Sequence, residues 1–325
     1  MRSGPVGARI HHRHVSRIRV PSRLGRPPRP TKPGRRDRDG SAEIGHNRPL
    51  NWQSEDRRYH GLLLRKLSEM APQFVEGAPY WVDLSAADVP AAADFYCRLF
   101  GWEATDLGEE AGHYTNLTYQ GQEVAAIGPA FNTDVTPQWI TYFKSNALYD
   151  TTKAIEAAGG VVRMPPMDVF DQTSIAQFTD PVGAEFAVSQ PKKHTGAGRW
   201  GDVGSVCWVE LHLRQAEPSV SFYQRVFGWT TRNMPMGGDH EDPYTLLIPS
   251  GQDDSFGGIY IDDQSGQTPR WWVYFGVEDH EAAAAKAVEM GGSRLAEPMS
   301  VPEVGSWSVL ADPSGSMFCA FTPPN

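Results

Sequence analysis

The 325-residue chain has three cysteines and no apolar run approaching the ~20 residues of a membrane span. Cys97, Cys207 and Cys319 fall in no metal-ligand spacing and leave an odd thiol under any pairing. That excludes a disulfide framework and suits a reducing cytoplasm. The N-terminal region lacks the apolar core of a secretory signal, and Arg35-Arg36 lead into "DRDG" rather than an apolar stretch, so export through either main route is not expected. What remains is a globular composition, 40% hydrophobic and 11% aromatic, of a length that suits two domains.

Acidic and basic residues are unevenly placed. Of 30 Lys/Arg and 39 Asp/Glu, residues 1–69 hold 17 and 6, leaving 13 and 33 for the rest: a charge of +11 against -20. The basic arm, with "RIRVPSRLGRPPRPTKPGRRDRDG", carries too much Pro, Gly and mutual Arg repulsion to pack, so a disordered Arg/Pro-rich extension is expected over 1–69. Clustered Arg suits a polyanion, yet a solvated extension is the simpler reading, and nucleic acid is not expected as a partner. Met70, heading "MAPQFVEGAPYWVDL", has the form of a start site just ahead of the first strand, so part or all of residues 1–69 reads either as a start-codon overcall or as a solvated extension of the native protein.

From residue 77 the chain repeats. Trp81-Val82-Asp83-Leu84 matches Trp208-Val209-Glu210-Leu211, and Phe95-Tyr96 and Phe100-Gly101-Trp102 match Phe222-Tyr223 and Phe227-Gly228-Trp229, all shifted by 127. Tyr142-Phe143, Gly159-Gly160 and Asp180-Pro181-x-Gly183 recur at Tyr274-Phe275, Gly291-Gly292 and Asp312-Pro313-x-Gly315, shifted by 132. One net insertion of five residues reconciles the two blocks. The expected modules are 77–190 and 203–322, joined by a linker at 191–202.

Each copy opens on an alternating strand, "YWVDLS" or "CWVELHL". A helix follows, closed by Gly101 or Gly228 as C-cap. Next come hairpin strands, the strand "QWITYFKS" or "RWWVYFGV", a helix at 149–158 or 279–290 ending in Gly-Gly, and two strands about the Asp-Pro-x-Gly turn. Hairpins between the helices require antiparallel pairing, so the class is α+β: two tandem βαβββ modules with curved mixed or antiparallel sheets. Half-open sheets are expected to pair and bury their edges against one another.

This ordered set of landmarks resembles the vicinal oxygen chelate superfamily of glyoxalase I, bleomycin-resistance binders, extradiol dioxygenases and fosfomycin-resistance transferases. The resemblance covers both copies. It is nearest the two-module glyoxalase-like proteins of actinobacteria, some described as culture-filtrate antigens, so appearance outside cells without a signal is compatible with it. The resemblance implies one divalent ion in each curved sheet, held by His, Glu or Gln on the first, fourth-position and last strands. Here those positions fall at Trp81, Ile140 and Ala187, and at Trp208, Trp272 and Cys319. Five of the six side chains cannot ligate a metal, and a divalent site needs about three protein ligands. No metal or other cofactor is therefore expected.

Strand alternation puts Trp81, Asp83 and Ser85 on one face, and Trp208, Glu210 and His212 on its counterpart. Aromatic walls with a carboxylate at the floor suit a small organic molecule that is flat and hydroxylated or partly cationic; Trp81, Asp83, Trp208, Glu210, His212 and Trp272 are the candidate ligand-binding residues. The alternative is that the tryptophans fill collapsed cups as core. Glu185 shares the parity of Ala187, so Asp83 and Glu185 either share a proton in one cup or Glu185 pairs with Arg163. The candidate catalytic residues are Asp83, Glu185, Glu210 and His212, in an enzyme reading with isomerase- or lyase-type acid/base chemistry on a hydroxycarbonyl. His113, His240 and the run His11, His12 and His14 read as solvated surface groups. The leading expectation is a metal-free cytoplasmic binding protein, monomeric or homodimeric, holding a ligand in a cup or in the groove between copies.

Overall fold

A computed structural model describes residues 74–130, 137–236, 242–262, 268–302 and 304–324. The basic arm, its histidines, Met70 and His240 lie outside them.

Module 1 runs β1 (Pro79–Ala86), α1 (Val89–Phe100), β2 (Glu103–Asp106), β3 (Thr115–Tyr119), β4 (Gln122–Pro129), β5 (Gln138–Lys144), α2 (Leu148–Ala157), β6 (Val161–Val169), β7 (Thr173–Thr179) and β8 (Glu185–Pro191). Its eight strands form one sheet in the order β2-β3-β4-β1-β5-β8-β7-β6. Module 2 runs β9 (Val206–Leu213), α3 (Ala216–Phe227), β10 (Thr230–Met234), β11 (Tyr244–Ile248), β12 (Gly257–Ile261), β13 (Arg270–Gly276), α4 (His280–Glu289), β14 (Ser293–Arg294), β15 (Met299–Val301), β16 (Gly305–Ala311) and β17 (Met317–Thr322). Its sheet follows the same path, β10-β11-β12-β9-β13-β17-β16-β14, with β15 added on β16.

The duplication is thus deeper than the sequence shows. Each module is itself two βαβββ units, β1 to β4 with α1 and β5 to β8 with α2, joined by antiparallel pairing of β1 with β5. Within a unit the first strand runs parallel to the last, β1 with β4 and β5 with β8, so the sheets are mixed.

Local chemistry sets the helix limits. Asp88 caps α1 by accepting from the Ala91 N–H at 3.0 Å, and Pro90 sits in the first turn, where its missing N–H costs nothing. Gly101 ends the helix at φ 73° and Gly228 ends α3 at φ 69°, left-handed turns that an L side chain adopts with strain.

The modules meet by faces, not by strand edges as the sequence had suggested: the two sheets share no ladder among the described residues. Helices line the side opposite the cups, α1 against α4 and α2 against α3. Between them lies a common aromatic core. Phe100 is 5.1 Å from Phe275 and Tyr96 is 5.4 Å from Phe318, while Phe143 is 5.1 Å from Trp271 and 5.0 Å from Trp229. Each such buried ring contributes on the order of 2 kcal/mol.

The repeated landmarks are the staples of this interface. The Trp102 indole N–H donates to the Gly204 carbonyl at 2.8 Å and Trp229 to the Gly77 carbonyl at 2.9 Å. The Tyr96 hydroxyl donates to Asp312 at 3.1 Å, and Ser219 on α3 donates to Asp180 at 3.1 Å. Each Asp of an Asp-Pro-x-Gly turn therefore receives the other module's helix while holding its own turn through backbone N–H groups. The expected groove between copies is filled by these rings. Among the described residues no helix is long and apolar enough to cross a membrane.

Candidate functional site

The sheet face turned away from the helices is the cup. In module 1, register aligns Trp81 with Tyr142 and then Ala187, and Asp83 with Ile140. In module 2 it aligns Trp208 with Tyr274 and Cys319, Glu210 with Trp272, and His212 with Arg270. Opposed residues share a face. The six positions where the family resemblance implies ligands therefore all face the cups.

At the centre of each cup one cluster occurs twice. In module 1 the Trp81 indole donates to the Tyr114 hydroxyl (3.2 Å), which donates to Asp83 Oδ2 (3.3 Å), and Tyr142 donates to the same oxygen (2.9 Å). In module 2 Trp208 donates to Tyr244 (2.9 Å), Tyr244 to Glu210 Oε2 (2.5 Å) and Tyr274 to Glu210 Oε1 (2.6 Å). Burial and the adjacent carboxylates push all four tyrosines well above their ordinary pKa, so they remain neutral donors. The reach of Tyr244 across β12 depends on Gly258, where a Cβ would stand 2.2 Å from the Tyr244 hydroxyl.

The two carboxylates behave oppositely. Burial raises Asp83 from 3.8 to about 7, against the lowering effect of Tyr142 and Tyr114. Burial acts on Glu210 in the same direction, but its hydrogen bonds outweigh it and the carboxyl lies below 4.5. Their sum includes a partner Asp83 lacks, His212, whose Nε2 is 2.6 Å from Glu210 Oε1. The module 1 counterpart of His212 is Ser85. The tyrosines also clamp Glu210 more closely, at 2.5 and 2.6 Å, than Asp83, at 3.3 and 2.9 Å, so His212 and the tighter clamp act together to hold Glu210 low.

The cups also differ in closure. The linker, which the sequence marks only as a connection, fills the gap between β1 and β4: Ala197 N–H donates to the Tyr80 carbonyl (2.9 Å) and Gly198 N–H to Glu123 (2.8 Å). His194 from the same segment sits edge-on to Trp81, 4.5 Å between ring centres. Trp81 is left 5% exposed, so it fills its cup as core. Trp208 and Trp272 remain half-buried. In module 2 the His212 ring lies flat on the Trp272 indole, 3.7 Å apart at 7°, where module 1 has Ser85 and Ile140.

Glu185 accepts from Gln138 (2.5 Å) and pairs with Arg163 (3.4 Å), and it makes no hydrogen bond to Asp83. His113 is exposed and bonds to Asp106 at 2.9 Å. Cys207 and Cys319 are buried with their thiols pushed up, so neither is a ready nucleophile. Sequence reasoning missed Tyr114 and Tyr244, which recur at a shift of 130, and treated Tyr142 and Tyr274 as scaffold. Register was the missing signal.

The donor set does not fit a divalent ion. Trp81, Ile140 and Ala187 offer no ligand atom, Trp208 and Trp272 offer N–H donors only, and Cys319 is a buried neutral thiol. Among the described residues, no three His, Cys, Asp or Glu side chains converge as an ion site.

Paired βαβββ units closing a cup define a glyoxalase-type architecture. The Glyoxalase/Bleomycin resistance protein/Dioxygenase superfamily matches residues 80–188, the Glyoxalase-like domain matches 208–321, and the chain belongs to this family. It is 34% identical over 256 residues to a protein of Mycobacterium tuberculosis named "Putative glyoxylase CFP32", covering 77% of this chain and 97% of that one. It is 36% identical over 261 residues to the anthracycline biosynthesis protein DnrV of Streptomyces peucetius, covering 76% and 93%. Among solved structures, the Mn(II)-bound glyoxalase of Novosphingobium aromaticivorans shares the fold at a TM-score of 0.54 and 19% identity, over 76% of this chain and 83% of that one. The 2,3-dioxygenase LapB of Pseudomonas sp. KL28 shares it at 0.54 and 14%, over 77% and 94%.

Proposed function

We propose that this chain is a small-molecule-binding member of the family that works without a divalent ion, taking a flat, oxygen-bearing organic molecule in a cup walled by Trp208, Glu210, His212 and Trp272. The observation that carries the reading is the Trp–Tyr–carboxylate–Tyr cluster, which forms the floor of each cup at the positions where a ligand set for an ion would stand. Aromatic walls supply dispersion, and a fixed carboxylate orients hydroxyl groups. The Streptomyces relative named for anthracycline biosynthesis supports a flat, oxygen-rich ring system as the ligand class. Trp81 and Asp83 form the second, more closed cup. The three free thiols favour the cytoplasm, and the acidic body argues against nucleic acid as partner. The face-to-face module interface is consistent with a working monomer, though a homodimer remains compatible with it.

The test is a thermal-shift screen of EDTA-treated protein against flat hydroxylated aromatics, run on wild type, Asp83→Asn and Glu210→Gln. A compound should stabilise wild type with or without EDTA and stabilise Glu210→Gln less. Stabilisation that appears only with an added divalent ion would overturn the reading.

A second reading rests on Asp83, whose carboxyl near 7 suits a general acid or base at neutral pH. It predicts solvent deuterium entering an α-hydroxycarbonyl at carbon in the presence of wild type but not Asp83→Asn. Equal incorporation by both proteins would remove it.

A further inference from the structure

Three ring nitrogens in module 2 are buried and make no hydrogen bond among the described residues: His212 Nδ1, Trp272 Nε1 and Trp307 Nε1. All three rings belong to the cup. Trp272 and Trp307 pack on the cluster of Cys207, Tyr274, Val309 and Cys319, and Trp272 stacks on His212. A buried indole N–H that makes no hydrogen bond has given up its hydration without a replacement partner. The stacked pair is thus held closed at a cost.

The two partners differ in how firmly they are held. His212 is fixed by its 2.6 Å bond to Glu210, and Glu210 is itself clamped by two tyrosines. Among the described residues the Trp272 indole N–H has no hydrogen-bond partner, and the ring lies on a half-buried position of β13 with Ile140 as its module 1 counterpart. Swinging it outward would hydrate its N–H and bare the imidazole face. Arg270, opposite His212 in register, donates to the Met317 thioether at 3.2 Å and to the Thr268 carbonyl at 3.4 Å. A thioether is a weak acceptor for a guanidinium that burial has already stripped of some water.

From this we infer that the Trp272 indole is a placeholder: a flat aromatic ring bearing an acidic hydroxyl displaces it, stacks on His212 and sets its phenolate oxygen against Arg270. The site lies in module 2 alone, because module 1 has Ser85, Ile140 and Gln138 in place of His212, Trp272 and Arg270. The inference rests on the binding role proposed above and assigns it a slot, a ligand class and a gate.

A fluorescence titration with 1,2-dihydroxyanthraquinone, whose 2-hydroxyl is free of the quinone carbonyl and acidic, tests it in wild type, Trp272→Ala, Trp272→Phe and Arg270→Gln. Wild type should bind one equivalent. Trp272→Ala should bind about fivefold more tightly, since a stacked competitor worth about 1 kcal/mol is gone, and Trp272→Phe should fall between. Arg270→Gln should bind about tenfold more weakly and lose the rise in affinity that accompanies ionisation of the probe hydroxyl. If wild type binds but both Trp272 variants bind equally or more weakly, the indole is a wall and not a placeholder, while the binding role stands. If no variant binds the probe, the slot and the proposed ligand class fall together.

Discussion

Asp83→Asn keeps the shape of the side chain and removes its proton. In the folded chain the Asp83 carboxyl stands at about 7 instead of 3.8, so between those values the native state holds a proton that the unfolded state has released. Stability must then fall as pH rises across this window, with the loss complete above the folded value. At about 1.4 kcal/mol per unit, the rise from 3.8 to about 7 corresponds to about 4 kcal/mol. That is an upper figure, because Asp83 keeps some contact with water. The amide accepts less strongly from Tyr114 and Tyr142, which costs the variant roughly 1 kcal/mol at all pH values. Urea unfolding of both proteins between pH 4 and 9 should show the variant slightly less stable near pH 4 and more stable by up to about 3 kcal/mol near pH 8. Other groups titrate equally in both, so the difference isolates Asp83. Parallel stability curves across the whole range would refute the reasoning.

Glu210→Gln should act in the opposite sense. A carboxyl held below 4.5 contributes stability above that value and loses it as pH falls through the folded one. The variant should therefore be destabilised at pH 7 and converge on wild type in acid, read by the same urea series. Gly258→Ala places a methyl 2.2 Å from the Tyr244 hydroxyl; it should push that ring off Glu210, cost about 1–3 kcal/mol, and move the acid unfolding transition to higher pH. Trp102→Phe leaves the Gly204 carbonyl without its 2.8 Å donor and should cost about 2–3 kcal/mol in thermal unfolding, while Phe at an exposed position such as Tyr149 should cost almost nothing.

The duplication was readable because its landmarks are punctuation: left-handed glycines, Asp-Pro turns and aromatic pairs at helix ends. Their reason was not. Phe-Tyr, Phe-Gly-Trp and Asp-Pro-x-Gly persist in both modules because each reaches across to the other module, as Tyr96 does to Asp312 and Trp229 to Gly77, and no pattern local in sequence encodes such a contact. The internal division of each module into two βαβββ units was hidden because it lies in strand order and pairing. Period-two alternation placed Trp81, Asp83, Trp208, Glu210 and His212 on the cup face. It could not bring Tyr114 or Tyr244 there, since their positions depend on how β3 and β11 register with their neighbours. Nor could composition show that the linker closes one cup and leaves its twin with a stacked His–Trp pair. The opposite shifts of Asp83 and Glu210 depend on what register sets beside each carboxylate: Ser85 in one cup, and in the other His212 together with a closer tyrosine clamp.

The central claim is that the module 2 cup binds a flat, oxygen-bearing molecule with its own side chains and no divalent ion. Titrating 1,2-dihydroxyanthraquinone into protein stripped with EDTA, with metal content measured on the same sample, tests it most directly. The account predicts saturable binding of one equivalent in metal-free protein, unchanged on adding Mn(II), Zn(II) or Ni(II). Binding that appears only as a stoichiometric divalent ion is restored would contradict it.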